Sequence, residues 1–132
     1  ERETEKHYLA WVWGEPALDA GEVDLPLCVD WPNRPKQKVD FEEGRHALTL
    51  WQKLKVENGN SLIKLTPITG RSHQLRVHML ELGHPILGDN LYANPDALTA
   101  APHLYLHAAS LTISHPRSGE RMTFEAPAPF PV

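Results

Sequence analysis

Residues 7–14 (HYLAWVWG) constrain the fold more than any other segment of this 132-residue chain. Strand side chains alternate between two faces, so Tyr8, Ala10 and Val12 share one side and Leu9, Trp11 and Trp13 the other. Both sides are apolar. Such a strand has to be covered on each face, which puts it inside a sheet with packed material above and below. Gly14-Glu15-Pro16 ends it. With twelve prolines and eight glycines, the remaining chain must turn often, which favours short strands joined by short connections.

The other elements follow from the same rules. Residues 23–29 read as a second strand, with Pro26 marking an edge or a bulge. Residues 30–46 form an excursion rich in turn residues. Residues 47–56 alternate, with Leu48, Leu50, Gln52, Leu54 and Val56 opposite Thr49, Trp51, Lys53 and Lys55. Asn58-Gly59 is a strong hairpin signal, and residues 61–68 return as the partner strand. A helix is predicted over 73–82, capped by Ser72 or Thr69, with Leu75, Met79 and Leu82 as its core stripe and Gly83 at its left-handed exit. Residues 103–114 read as another central strand and residues 121–125 as a short last one before a Pro-rich tail. Glu1 to Glu5 reads as a polar lead-in or the end of a helix. The expected class is α+β, a mixed and mainly antiparallel sheet with one principal helix, in one compact domain.

Several classes of protein are disfavoured. No apolar run approaches the roughly 18 residues of a membrane span. No signal-peptide pattern opens the chain, and the single Cys28 cannot form an intramolecular disulfide, which fits a reducing cytoplasm. His73, His78 and His84 are spaced five and six apart, which does not put three metal ligands on one helix face. His107 and His115 suit structural hydrogen bonds. The net charge of −4 does not favour a nucleic-acid partner. Its distribution does allow one: Arg34, Lys36 and Lys38 lie in an acid-free stretch over 31–38, while the acids gather at 1–5, 15–24, 40–43 and 57. That stretch can contact phosphates from a Pro-stiffened loop, or it can be an ordinary solvated loop. Trp31 within it can stack on a base or anchor its own loop.

The most informative motif is Thr69-Gly70-Arg71-Ser72-His73-Gln74-Leu75-Arg76-Val77-His78, followed by Gly83-His84-Pro85-Ile86-Leu87-Gly88-Asp89. Arg71, Ser72 and His73 sit at a helix start, where free N–H groups favour an anion. Arg76 flanks the core stripe, so it is expected to be half-buried and to need a carboxylate partner. On physics alone, a structural ion pair beside a surface helix cap is the favoured reading of Arg76.

These residues closely resemble the signature of the RluA-type pseudouridine synthases. Lys6-His7-Tyr8-Leu9-Ala10 matches the family's Lys-x-Tyr-x-Ala strand, and Leu106-His107-Ala108 and His115-Pro116 match further along. Similarity covers almost the whole chain, and DLPLCVDWPNRPKQKV is similar to the branch acting on large-subunit ribosomal and transfer RNA. The resemblance implies isomerisation of uridine in RNA without metal or organic cofactor. It implies that Arg76 orients a catalytic aspartate and that Tyr8 stacks on the extruded base. It also favours Arg34, Lys36 and Lys38 as RNA-binding residues, beside Arg71 and His73, which are expected to meet phosphate from the helix start.

The family draws its carboxylate from a His-Arg-Leu-Asp motif, and nothing here matches it. Asp19, Asp24, Asp30, Asp40, Asp89 and Asp96 stand in other contexts, and Asp89 is expected to support its own turn. Residues 1–132 are therefore expected to be the C-terminal portion of one catalytic domain, inactive alone. An apolar surface or open strand edge is expected around Tyr8 to Trp13, inviting self-association. The alternative is a non-catalytic RNA-binding module using the same surface.

Overall fold

The doubly apolar segment becomes β1 (Thr4–Val12), deep within a six-stranded sheet. The computed structural model describes residues 4–114, 121–125 and 127–132. The further strands are β2 (Ala20–Asp24), β3 (Leu27–Val29), β4 (Gln37–Val39), β5 (Leu48–Glu57), β6 (Asn60–Pro67), β7 (Leu106–Ser114) and β8 (Arg121–Glu125). They run in the order β2-β5-β6-β1-β7-β8, every ladder antiparallel, while β3 and β4 pair as a separate ribbon. Among the described residues two α-helices accompany them, α1 (Gln74–Leu82) and the short α2 (Pro95–Thr99). The expected α+β class and principal helix are found.

Both faces of β1 are covered, as its pattern requires. On one side Ala10 and Val12 join Ile63 and Leu65 of β6 and Trp51 of β5 beneath Leu75 and Met79 of α1. On the other, Trp11 and Leu62 meet Leu87, Ala97, Ala101 and Phe130. The Pro-rich tail thus closes the second face. The Phe130 ring stacks on Tyr105 with centroids 4.8 Å apart, and Trp11 Nε1 donates to the Pro131 carbonyl at 2.7 Å. Burying a phenylalanine of this kind contributes about 1.5–3 kcal/mol.

The hairpin between β5 and β6 turns through Asn58 (φ 54°) and Gly59 (φ 79°). Two successive left-handed residues match the twist of the strands they join. In β5 the buried positions are Thr49 and Trp51, whereas Leu50, Leu54 and Val56 are exposed. Leu54 is the extra residue of a bulge, since Lys53 and Lys55 pair with the consecutive Ile63 and Leu62.

Four expectations need correction. Residues 23–29 are not one strand: Pro26 breaks them, and β2 joins the main sheet while β3 joins the ribbon. Thr4 and Glu5 belong to β1 and not to a helix. Neither Ser72 nor Thr69 caps α1. The N-cap position is His73 in a left-handed conformation (φ 54°) with no side-chain cap, and Gln74 folds back instead to accept the Arg71 N–H at 3.0 Å. Finally, Tyr8 to Val12 form no open edge, because β1 is paired to β6 on one side and β7 on the other. The sheet's outer strands are β2 and β8. The expected exit at Gly83 is found, at φ 99°. The last expected strand is found as β8, and residues 103–105 precede rather than begin β7. His115 and Pro116 lie outside the described residues.

Candidate active site

Antiparallel pairing brings the end of β6 alongside the first half of β1, with Leu65 opposite Tyr8. The chain leaving β6 runs through Pro67 and Gly70 into α1. The motif at the start of α1 therefore falls over the face of β1 that carries Lys6 and Tyr8. Between them is an open cleft of about 280 Å³, lined by Lys6, Tyr8, Pro67, Thr69, Gly70, Arg71, His73, Gln74, Leu75, Arg76 and Leu106. The β1–β7 ladder shifts register between His7 and Tyr8, so the sheet is irregular where it meets the cleft.

Gln74 organises the loop above. Its Oε1 accepts from the Thr69 hydroxyl at 2.7 Å and from the Arg71 N–H at 3.0 Å. Its Nε2 donates to the Leu48 carbonyl at 2.9 Å and to Thr49 Oγ1 at 3.0 Å. Arg71 is tethered through Nε to the His46 carbonyl at 2.7 Å and is one of the residues that line the cleft.

Arg76 is held from behind. Its Nε donates to Asp89 Oδ2 at 3.0 Å and its Nη2 to Asp89 Oδ1 at 2.6 Å. Asp89 is fully buried, while the arginine side chain keeps 16% of its surface. The bond from Asp89 holds the guanidinium pKa above its ordinary value, against the opposing effect of burial. Asp89 also accepts the N–H groups of Leu91 at 3.0 Å and Tyr92 at 3.1 Å. It is therefore both the turn support expected and the carboxylate partner of Arg76, which the sequence did not identify. Two of the guanidinium's three nitrogens are engaged. Among the described residues Nη1 has no partner, which leaves one donor edge for a second anion.

Tyr92 lies behind Arg76, outside the cleft lining. The Arg76 guanidinium sits over its ring, 5.3 Å from the centroid. Its hydroxyl is 2.7 Å from His73 Nδ1 and accepts the Gln37 N–H at 2.9 Å. The network is satisfied when the hydroxyl gives its one proton to a neutral His73. Burial, followed by the nearby Arg76, lowers the His73 pKa, in keeping with that assignment. Lys6 and Tyr92 were not singled out as site residues in the sequence. Lys6 is two residues from Tyr8 on one strand face, a signal that could have found it. No local signal identifies Tyr92.

The other basic residues expected at an RNA surface, Arg34, Lys36 and Lys38, are not in the cleft lining and lie on or beside the β3–β4 ribbon. Arg34 lies 4.7 Å over the Trp31 ring, and Lys38 is 3.9 Å from Asp40. Trp31 is 63% exposed, and Arg34 of its own loop covers one face of its ring. The histidines weighed as metal ligands are otherwise occupied. His78 is fully buried between Thr49 Oγ1 (2.8 Å) and the Leu25 carbonyl (3.0 Å), and His84 bonds the Trp13 carbonyl at 2.7 Å. Among the described residues no helix is long and apolar enough to cross a membrane.

Comparison with known proteins bears on this geometry. Residues 1–81 match the family described as RNA pseudouridylate synthase. The chain is 59% identical over 131 residues to the dual-specificity RNA pseudouridine synthase RluA of Salmonella typhi, and 55% identical to that of Haemophilus influenzae. In both cases 98% of this chain is covered, but it spans only 60% of the relative's length. Among solved structures, human RNA Pseudouridylate Synthase Domain Containing 1 superposes with a TM-score of 0.81 at 28% identity. That match covers 97% of this chain and 56% of the human one.

Proposed function

The chain belongs to the RNA pseudouridylate synthase family, and from that premise we propose that it is the C-terminal portion of an enzyme converting uridine in RNA to pseudouridine. The reaction breaks the bond between ribose C1′ and uracil N1, turns the base, and joins C1′ to C5. The C5 proton leaves and N1 regains one, so no oxidant or cofactor is needed. A base inside a stack cannot be reached, so it must be extruded onto an aromatic or apolar face. Tyr8 supplies that face.

The catalytic carboxylate is proposed to come from a segment outside these 132 residues. Arg76 is proposed to orient it through the free Nη1 edge, since a planar guanidinium can grip two carboxylates along different edges. Arg71 and His73 contact phosphate at the mouth of the cleft, and Arg34, Lys36 and Lys38 contact it along the ribbon. The proposed substrates are stem-loops of ribosomal and transfer RNA, and the proposed compartment is the cytoplasm. The observation that carries the reading is the convergence of Tyr8 and Arg76 on one cleft.

The test is tritium release from RNA labelled at uridine C5. The full-length protein should release tritium, its Arg76→Ala variant should not, and residues 1–132 alone should not. Turnover by the clean 132-residue chain would refute the need for an outside carboxylate. A second reading, a non-catalytic RNA-binding module, is favoured by one observation: Arg76 already has a complete internal partner in Asp89. Unchanged tritium release in the full-length Arg76→Ala variant would remove Arg76 from the chemistry, and no release from the full-length wild type would support the binding module.

A further inference from the structure

Tyr92 joins parts of the molecule that are distant in sequence. The ribbon strands β3 and β4 are three residues each, and a two-stranded ribbon of that size has little stability of its own. Leu27 and Val39 of the ribbon pack on Val77 of α1 and on Tyr92. That contact is apolar and non-directional; at the β3 end, position is fixed by the paired backbone bonds of Leu27 and Arg45 (3.0 and 2.8 Å) and by His78 of α1 on the Leu25 carbonyl (3.0 Å). At the β4 end, which carries the lysines, direction comes from the Tyr92 hydroxyl, which accepts the N–H of Gln37 at 2.9 Å. Gln37 stands between Lys36 and Lys38. The same hydroxyl pairs with His73 at the start of α1, and the ring beneath it carries the Arg76 guanidinium. The Tyr92 N–H is also bound by Asp89, the residue that grips Arg76. One side chain thus touches the basic ribbon, the helix start and the cleft arginine.

We propose that Tyr92 is a positioning residue that seats the β3–β4 ribbon against the Arg76 cleft, so that the ribbon's basic side chains and the cleft engage one RNA in a fixed register. The proposal rests on the RNA reading above. Tyr92→Phe is the informative change, because it keeps the ring under Arg76 and removes only the hydroxyl bonds. Binding of a fluorescein-labelled RNA stem-loop to the full-length protein is measured by anisotropy at several salt concentrations. Tyr92→Phe should weaken binding about tenfold. It should also lower the slope of log Kd against log salt by about 1–2, as expected when one or two phosphate contacts are lost. Lys36→Ala with Lys38→Ala should cost less affinity when combined with Tyr92→Phe than in the wild type. Strictly additive effects with an unchanged salt slope would overturn the proposal.

A separate measurement needs neither RNA nor a well-folded variant. The Gln37 amide of the wild-type protein should exchange with deuterium far more slowly than those of loop residues such as Phe41 and Gly70. If it exchanges as fast as they do, the seating is wrong. Failure of the wild type to bind RNA, with Gln37 protected, would instead strike the RNA reading and leave the seating standing.

Discussion

Replacing Asp89 with asparagine tests whether the site is organised around a buried charge. The carboxylate is fully buried and accepts four N–H groups: Arg76 Nε at 3.0 Å, Arg76 Nη2 at 2.6 Å, Leu91 at 3.0 Å and Tyr92 at 3.1 Å. An asparagine oxygen can keep the two backbone N–H groups of the turn. That oxygen can also keep Arg76 Nη2, but the amide NH2 that replaces Oδ2 faces the Nε–H, so Arg76 loses one bond and its counter-charge. Removing one member of a buried pair costs about 3–5 kcal/mol. Arg76 retains 16% of its surface and can draw water from the cleft, so the loss should lie near the lower end, about 3 kcal/mol. For a domain of this size that lowers the melting temperature by roughly 10 °C or more. Circular dichroism with heat and urea would read it. The argument also fixes the behaviour of a double variant. Asp89→Asn with Arg76→Met leaves no stranded charge while the turn stays bonded, so it should be about 2 kcal/mol more stable than Asp89→Asn alone. A loss under about 1 kcal/mol for the single variant would refute the reasoning. So would a double variant no more stable than the single.

Three further outcomes are expected. Gly88 has φ 76° and an added Cβ would collide with the His103 carbonyl, so Gly88→Ala should cost at least about 3 kcal/mol in a urea melt; a loss below about 1 kcal/mol would mean that the backbone at 103 yields freely. His78 is buried and its pKa is lowered from 6.5, chiefly by burial, so the unfolded chain takes up the proton first. Stability should therefore be whole above about pH 6.5 and fall as the pH drops below it, and His78→Gln should flatten that fall, as read by melting temperature from about pH 7 to 5. Trp31→Ala should shift stability by no more than about 0.5 kcal/mol, because the indole is 63% exposed, while weakening RNA binding by about 1 kcal/mol or more if the ring stacks on a base; unchanged affinity would remove Trp31 from the RNA surface.

Local patterns were legible wherever one constraint sufficed. The alternation in residues 7–14 required a strand covered on both faces, and the hairpin at Asn58-Gly59 and the helix exit at Gly83 required residues tolerant of positive φ. Tyr8 and Arg76 could be chosen because they stand in recognisable motifs. What stayed hidden depended on which backbones meet. Pro26 marked an interruption, but pairing partners alone sent β2 and β3 to different sheets. A Ser or Thr cap was the reasonable expectation for α1. The close approach of β5 made Gln74 the better ligand, because it satisfies Leu48, Thr49, Thr69 and Arg71 together.

By itself, then, the sequence determined the α+β class, the central strand, the hairpin and the principal helix, while resemblance to a family singled out Tyr8 and Arg76. These follow from periodicity, turn chemistry and local motifs, which act over a few residues. Tertiary structure decided that Arg76 is held by Asp89, that Tyr92 ties the basic ribbon to the cleft, and that the Pro-rich tail covers Trp11. A guanidinium accepts any carboxylate that reaches it and a hydroxyl any donor, so the choice among the chain's acids and amides is made only when packing brings particular groups within about 3 Å.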